Sequence, residues 1–139
     1  MKNIYYIIWT EAFCRYKNSH KDDENWVFKV FKMYTFINAI NLATIIIWLQ
    51  ILDVWKLPVV EIDILPGTLL DKVLTFFLVF WLPCIIVNYF FILRKKRYIH
   101  IIEKYEKYQN RYAVYYGFGS IFLGFATIMI YGFLDNFGF

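Results

Sequence analysis

The sequence predicts an all-α, polytopic membrane protein with three transmembrane helices, an N-terminal amphipathic helix and a cytoplasmic extension of the second span. Three observations lead there. Hydrophobic residues fill 60% of the 139 positions and the mean hydropathy is +0.47, more apolar surface than a soluble domain of this length can enclose. Three uncharged stretches are each about twenty residues long, enough to cross a hydrocarbon layer of roughly 30 Å as a helix. Finally, Lys and Arg number six before the first stretch, two between the first and second, seven between the second and third, and none after it. By the positive-inside rule this alternation puts the N-terminus and the second connection in the cytoplasm, with the first connection and the C-terminus outside.

Residues 1–32 form a cytoplasmic or interfacial segment. Tyr5, Ile8, Trp9, Ala12, Phe13 and Tyr16 recur at helical spacing, with Glu11 and Arg15 on another face. Such a helix is expected to lie in the interface, rings toward acyl chains and charges toward water. KNSHKDDEN then reads as a turn in which Asp22 or Asp23 caps the next helix and DDE faces the positive end of its dipole. Lys29 and Lys32 can snorkel as that helix runs into the first span, residues 33–52.

Residues 53–72 form the external loop, with Pro58, Pro66 and the alternation VVEIDIL, and are expected to be extended or irregular with Trp55 near the headgroups. Glu61 and Asp63 read as solvated rather than as a calcium loop, which needs more oxygen ligands. Thr68 and Asp71 have capping-box spacing at the start of the next helix. The second span, residues 73–93, contains Pro83, which cannot donate to the carbonyl of Val79 and predicts a kink. In the third span, residues 113–134, Gly117, Ser120, Gly124 and Thr127 alternate at three and four, a small-residue face that lets another helix approach closely.

Polar residues inside the spans need partners. Asn38, Asn41 and Thr44 lie three apart in the first and Asn88 sits near the inner end of the second. They are expected to bond other helices or to line a wet cavity for an ion or small solute. No ionisable Asp, Glu, Lys, Arg or His lies within the three cores, which argues against a proton relay but permits a passive pore.

No catalytic residue, cofactor site or metal site is expected. His20 and His100 lie far apart without neighbours at metal-ligand spacing, and GxSxG, Walker A and dinucleotide fingerprints are absent. Cys14 and Cys84 read as small packing residues rather than a disulfide framework.

Residues 94–112 are expected to carry the second span on as a cytoplasmic helix. Counted from about Leu69 to Tyr108, it would be roughly 60 Å long, half of it outside the membrane core. Along RYIHIIEKYEKYQNRY, Tyr98, Ile101, Tyr105, Tyr108 and Tyr112 recur at three and four, a heptad seam, while Glu103 and Lys107 stand in favourable i,i+4 order. The seam can pack on the N-terminal segment, lie along headgroups, or dock a second subunit or ligand. Arg94, Lys95, Lys96 and Arg97 serve topology and contact anionic lipid at about 1 kcal/mol per charge.

The run NYFFILRKKRYIHIIEKYEK, Asn88 to Lys107, resembles small uncharacterised membrane proteins of Bacteroidota, in which an aromatic-rich span passes into a charged Tyr/Lys/Glu helix. The resemblance covers the second half of the chain and implies no activity. The expectation is therefore a non-enzymatic inner-membrane protein, held by the bilayer and its anionic cytoplasmic headgroups, that self-associates or joins a membrane complex. The small-residue face and the tyrosine seam motivate it. The alternatives are an oligomeric pore or membrane-disrupting effector, motivated by Asn38, Asn41 and Pro83, and a sensor of an anionic ligand. Nucleic acid is not an expected partner.

Overall fold

The computed structural model describes residues 3–54, 69–108 and 110–137, and every regular element among them is helical. Most of the external loop, with Trp55, Pro58, Glu61, Asp63, Pro66 and Thr68, lies outside the described residues. Three helices are long and apolar enough to cross a membrane: Trp26–Ile51, Val73–Tyr108 and Tyr112–Leu134.

Helix α1 (Ile4–Ser19) starts at Asn3, whose side-chain oxygen accepts the Tyr5 amide at 3.1 Å. The single wet face expected of it is absent from its middle. Trp9, Thr10, Glu11, Ala12 and Phe13 are all buried, five consecutive residues that between them point in every direction around the helix. The helix is wedged among α2, α5 and α6. The physical reason is visible in IYYIIW, which is apolar all round, and a helix of that kind is buried rather than laid flat.

Helix α2 (Trp26–Ile51) continues through NWVFKVFK into the first span as expected. Its N-cap is Asn25, and Asp23 stands two residues earlier, accepting the Asn25 amide at 3.0 Å, Lys29 Nζ at 2.7 Å and the Tyr16 hydroxyl at 3.1 Å. Lys32 lies over the Phe28 ring. At the far end the Val54 amide reaches back to the Leu49 carbonyl at 3.0 Å, with Asp53 left-handed at φ 54°, a Schellman-type stop.

The second span is built in pieces. Helix α3 (Leu69–Phe76) passes through a π-helical turn, Phe77–Trp81, into α4 (Leu82–Asn88), and a second π-helical turn, Tyr89–Leu93, closes it. Pro83 lacks an N–H, and the ladder widens just before it, where the Leu82 amide donates to the carbonyl of Phe77, five residues back. Beyond Leu93 the expected straight extension does not form. Arg94 is extended (ψ 127°) and both Lys95 and Lys96 are left-handed (φ 56° and 55°), so the chain is redirected before α5 (Arg97–Tyr105) begins. A tight 3-10 turn, Glu106–Tyr108, follows α5. Burial of Ile101 and Tyr105 against α1 rewards that redirection, whereas a straight rod would have left both without that contact.

Helix α6 (Tyr112–Phe137) packs along α2 through its small-residue face. Ser120 and Thr127 are buried there. A Cβ on Gly124 would come within 2.7 Å of Ile40 Cγ2, so only glycine allows this approach, and one on Gly117 would meet Ile37 Cδ1 at 3.6 Å. The face expected to serve another subunit is therefore occupied by the chain's own first span. Helix α2 is central, with the second span on one side and α6 on another, and among the described residues no Cα of one flanking element lies within 8 Å of a Cα of the other.

Candidate functional site

The polar residues of the spans converge on one hydrogen-bonded network. Asn88 Oδ1 accepts from the Tyr5 hydroxyl at 2.6 Å and from Asn38 Nδ2 at 3.3 Å, while its Nδ2 donates to Thr35 Oγ1 at 3.1 Å. The Tyr116 hydroxyl donates to Asn38 Oδ1 and receives Asn41 Nδ2 at 2.7 Å; Asn41 Nδ2 also reaches Ser120 Oγ at 2.9 Å. Further along, Trp48 Nε1 donates to Thr127 Oγ1 at 3.0 Å. Four parts of the chain, α1, α2, α4 and α6, are thus joined by side chains that would otherwise be unsatisfied in a medium without water. Burial pushes the Tyr5 hydroxyl up to about 12, further from ionisation than an ordinary tyrosine. Asn38 bonds Asn88 directly and Asn41 through the Tyr116 hydroxyl, and Asn38 and Asn88 also border the cavity described below. Thr44 lies outside the network, beside Gly124. Sequence reasoning missed Tyr5 and Tyr116 as partners, although a tyrosine in an apolar stretch needs a hydrogen-bonding partner for its hydroxyl.

Glu11 was also misplaced by its pattern. Expected on a wet face, it is 0% exposed. Its Oε1 accepts Arg15 Nε at 2.8 Å and its Oε2 accepts the Ala113 amide at 3.3 Å, in the first turn of α6, where the helix dipole favours an anion. The Tyr34 hydroxyl donates to the Ala113 carbonyl at 3.1 Å, and Thr10 Oγ1 donates to the Ile101 carbonyl at 3.3 Å. Helix α1 is thereby pinned to α5 and α6.

The tyrosine seam is also spent within the chain. Tyr105 meets Tyr6 at 5.9 Å between ring centroids, Tyr98 meets Phe13 at 5.9 Å and Trp26 at 6.2 Å, and Ile101 is buried in the same cluster. Tyr108 packs at its margin, and Tyr112 falls outside it, exposed at the start of α6. Among the alternatives left open by the sequence, packing on the N-terminal segment is the one adopted. Glu103 and Lys107 make no ion pair; Lys107 lies over the Tyr108 ring at 5.2 Å.

Arg94, Lys95, Lys96 and Arg97 are all exposed on the left-handed turn. Arg94 lies over the Phe90 ring at 5.2 Å, and Arg97 donates to the Phe90 carbonyl at 3.4 Å, one of the carbonyls a helix C-terminus leaves unpaired. His20 and His100 are both exposed, with His20 stacked on Tyr16, and no three His, Cys, Asp or Glu residues converge for a metal among the described residues. Cys14 and Cys84 are half-buried thiols.

Two concavities border α2. A cavity of about 490 Å³ lies between α1, α2 and α4, lined by Tyr5, Asn38, Pro83, Cys84, Val87 and Asn88 among others. A smaller apolar groove of about 200 Å³ runs along another face of α2, floored by Ile40, Ala43, Thr44 and Ile47 between Phe76 on one side and α6 on the other. Comparison with protein-family models, with curated proteins and with solved structures finds no match to this chain.

Proposed function

We propose that this chain is a non-enzymatic integral membrane protein of an inner membrane that self-associates, and that the groove along α2 is where a second copy sits. The groove is the observation that carries the reading. The backbones of the second span and α6 stand apart on either side of α2, so Ala43 and Thr44 are left as a small-residue floor of the kind that lets a helix approach in lipid. Its α6 wall, Ile121, Phe125 and Ile128, is itself a ridge of well-exposed side chains. Groove and ridge therefore lie side by side on one surface, the self-complementarity that a two-fold contact requires.

The test is the mass of the purified chain in mild detergent. A dimer in the parent that becomes a monomer in Ala43→Trp, with helix content unchanged, is the expected result. A monodisperse monomer at all concentrations would sink the proposal, and a different protein released by Ala43→Trp would replace the second copy with that partner.

A second reading has its own support in the exposed basic turn. Arg94 to Arg97 contact anionic headgroups, which fits a cytoplasmic position for this turn and the N-terminus and an external one for the C-terminus. Cysteine-accessibility mapping of the turn and the C-terminus checks the orientation. Crosslinking to anionic lipid that survives neutralisation of all four residues would refute the contact.

A further inference from the structure

We infer that the cavity between α1, α2 and α4 is a binding site for an uncharged, acyl-ester lipid that enters sideways from the bilayer. Its outer rim is Pro83, Val87 and Phe91, with Val87 51% and Phe91 48% exposed on the apolar second span. A molecule reaching it from that side comes from the hydrocarbon layer. Its volume of about 490 Å³ falls within the usual range for small-molecule sites, and its lining is mostly apolar with a few polar groups converging at one end.

Those polar groups specify the ligand's head. The carboxamide oxygen of Asn88 already accepts two hydrogen bonds, from Tyr5 and Asn38, and the oxygen of Asn38 accepts one from Tyr116. The Asn3 oxygen accepts the Tyr5 amide. Each asparagine nitrogen carries two hydrogens, and Asn38 and Asn88 each use one of them within the described residues. The spare hydrogens of Asn38 and Asn88 at this end can be taken by an acceptor oxygen. Among the described residues no Lys or Arg lines the cavity, so none of them neutralises a carboxylate or phosphate there. A carbonyl oxygen of a neutral ester, with its chain along Leu42, Val87 and Phe91, meets both conditions.

Photo-crosslinking in nanodiscs tests this on the full chain. Three probes carrying the same diazirine-labelled chain are compared: a diacylglycerol, a free fatty acid and a phosphatidylglycerol. With the diacylglycerol, adducts should concentrate on Leu42, Cys84 and Val87 over the exposed Phe118 and Phe122, and should fall about tenfold in Val87→Trp, whose indole fills the rim. Excess unlabelled diacylglycerol should suppress the same adducts in the unaltered protein and slow maleimide labelling of Cys84 in a Cys14→Ala background. Even labelling around all lipid-facing residues, insensitive to Val87→Trp and to competitor, overturns the site. Equal labelling by the fatty acid or the phosphatidylglycerol overturns the assignment of an uncharged ester.

Discussion

Removal of the Glu11 carboxylate should unpin α1, and the size of the effect follows from its two contacts. The carboxylate takes Arg15 Nε at 2.8 Å and the buried Ala113 amide at 3.3 Å. Arg15 is 47% exposed, so its share is discounted toward the surface-pair value of about 0.5 to 1 kcal/mol. The backbone contact is buried, and a hydrogen bond to a charged group there contributes about 1.5 to 3 kcal/mol. Glu11→Gln keeps one acceptor oxygen and loses the charge, for an expected cost of about 1 to 2 kcal/mol. Glu11→Ala removes both acceptors and leaves the Ala113 N–H unsatisfied, for about 3 to 4 kcal/mol, or more than a hundredfold in the folded-to-unfolded ratio. Unfolding titrations in mixed detergent micelles measure both, and hydrogen exchange at Ala113 should accelerate in Glu11→Ala. A Glu11→Ala protein within about 1 kcal/mol of the parent, with Ala113 still protected, would refute the argument that this carboxylate fixes α1 to α6.

Three further outcomes are expected. Gly124→Ala should cost about 1 to 3 kcal/mol, because its Cβ would meet Ile40 Cγ2 at 2.7 Å, whereas Gly119→Ala, with nothing within 4 Å, should be neutral or stabilising in the same titration. Lys95→Gly and Lys96→Gly should each raise stability by about 1 kcal/mol by relieving a left-handed backbone; a loss in both would show that the lysine side chains outweigh that strain. The Lys29 ammonium beside Asp23 holds its carboxyl below the ordinary value of 3.8. Its folded value being the lower one, its contribution is present above 3.8 and disappears as pH falls through the folded value. Hydrogen exchange over residues 23–29 should accelerate across that acid window in the parent and be independent of it in Asp23→Asn.

The polar network shows where one-dimensional reasoning stops. Asn38, Asn41 and Asn88 announce themselves as carboxamides in apolar stretches, yet their spacing does not say that Asn88 would sit between Tyr5 and Thr35, residues 83 and 53 positions away. Glu11 and Arg15 read as a wet face because periodicity sees only charge, while burial depends on what packs against it. The turn at Arg94–Arg97 has no glycine or asparagine to mark it, and its two left-handed lysines are imposed by the docking of α5.

What the sequence by itself determined was the elements: three uncharged segments long and apolar enough to cross a membrane as helices, with Pro83 and the small-residue face of α6 as local properties of those helices. What only the tertiary structure decided was which surfaces are used up. The tyrosine seam from Tyr98 to Tyr108 and the small-residue face are both satisfied by the chain's own α1 and α2. The groove and the lateral cavity are what remains. The reason is physical: a helix's pattern reports that a face needs a partner, but the partner is chosen by packing among elements far apart in the chain.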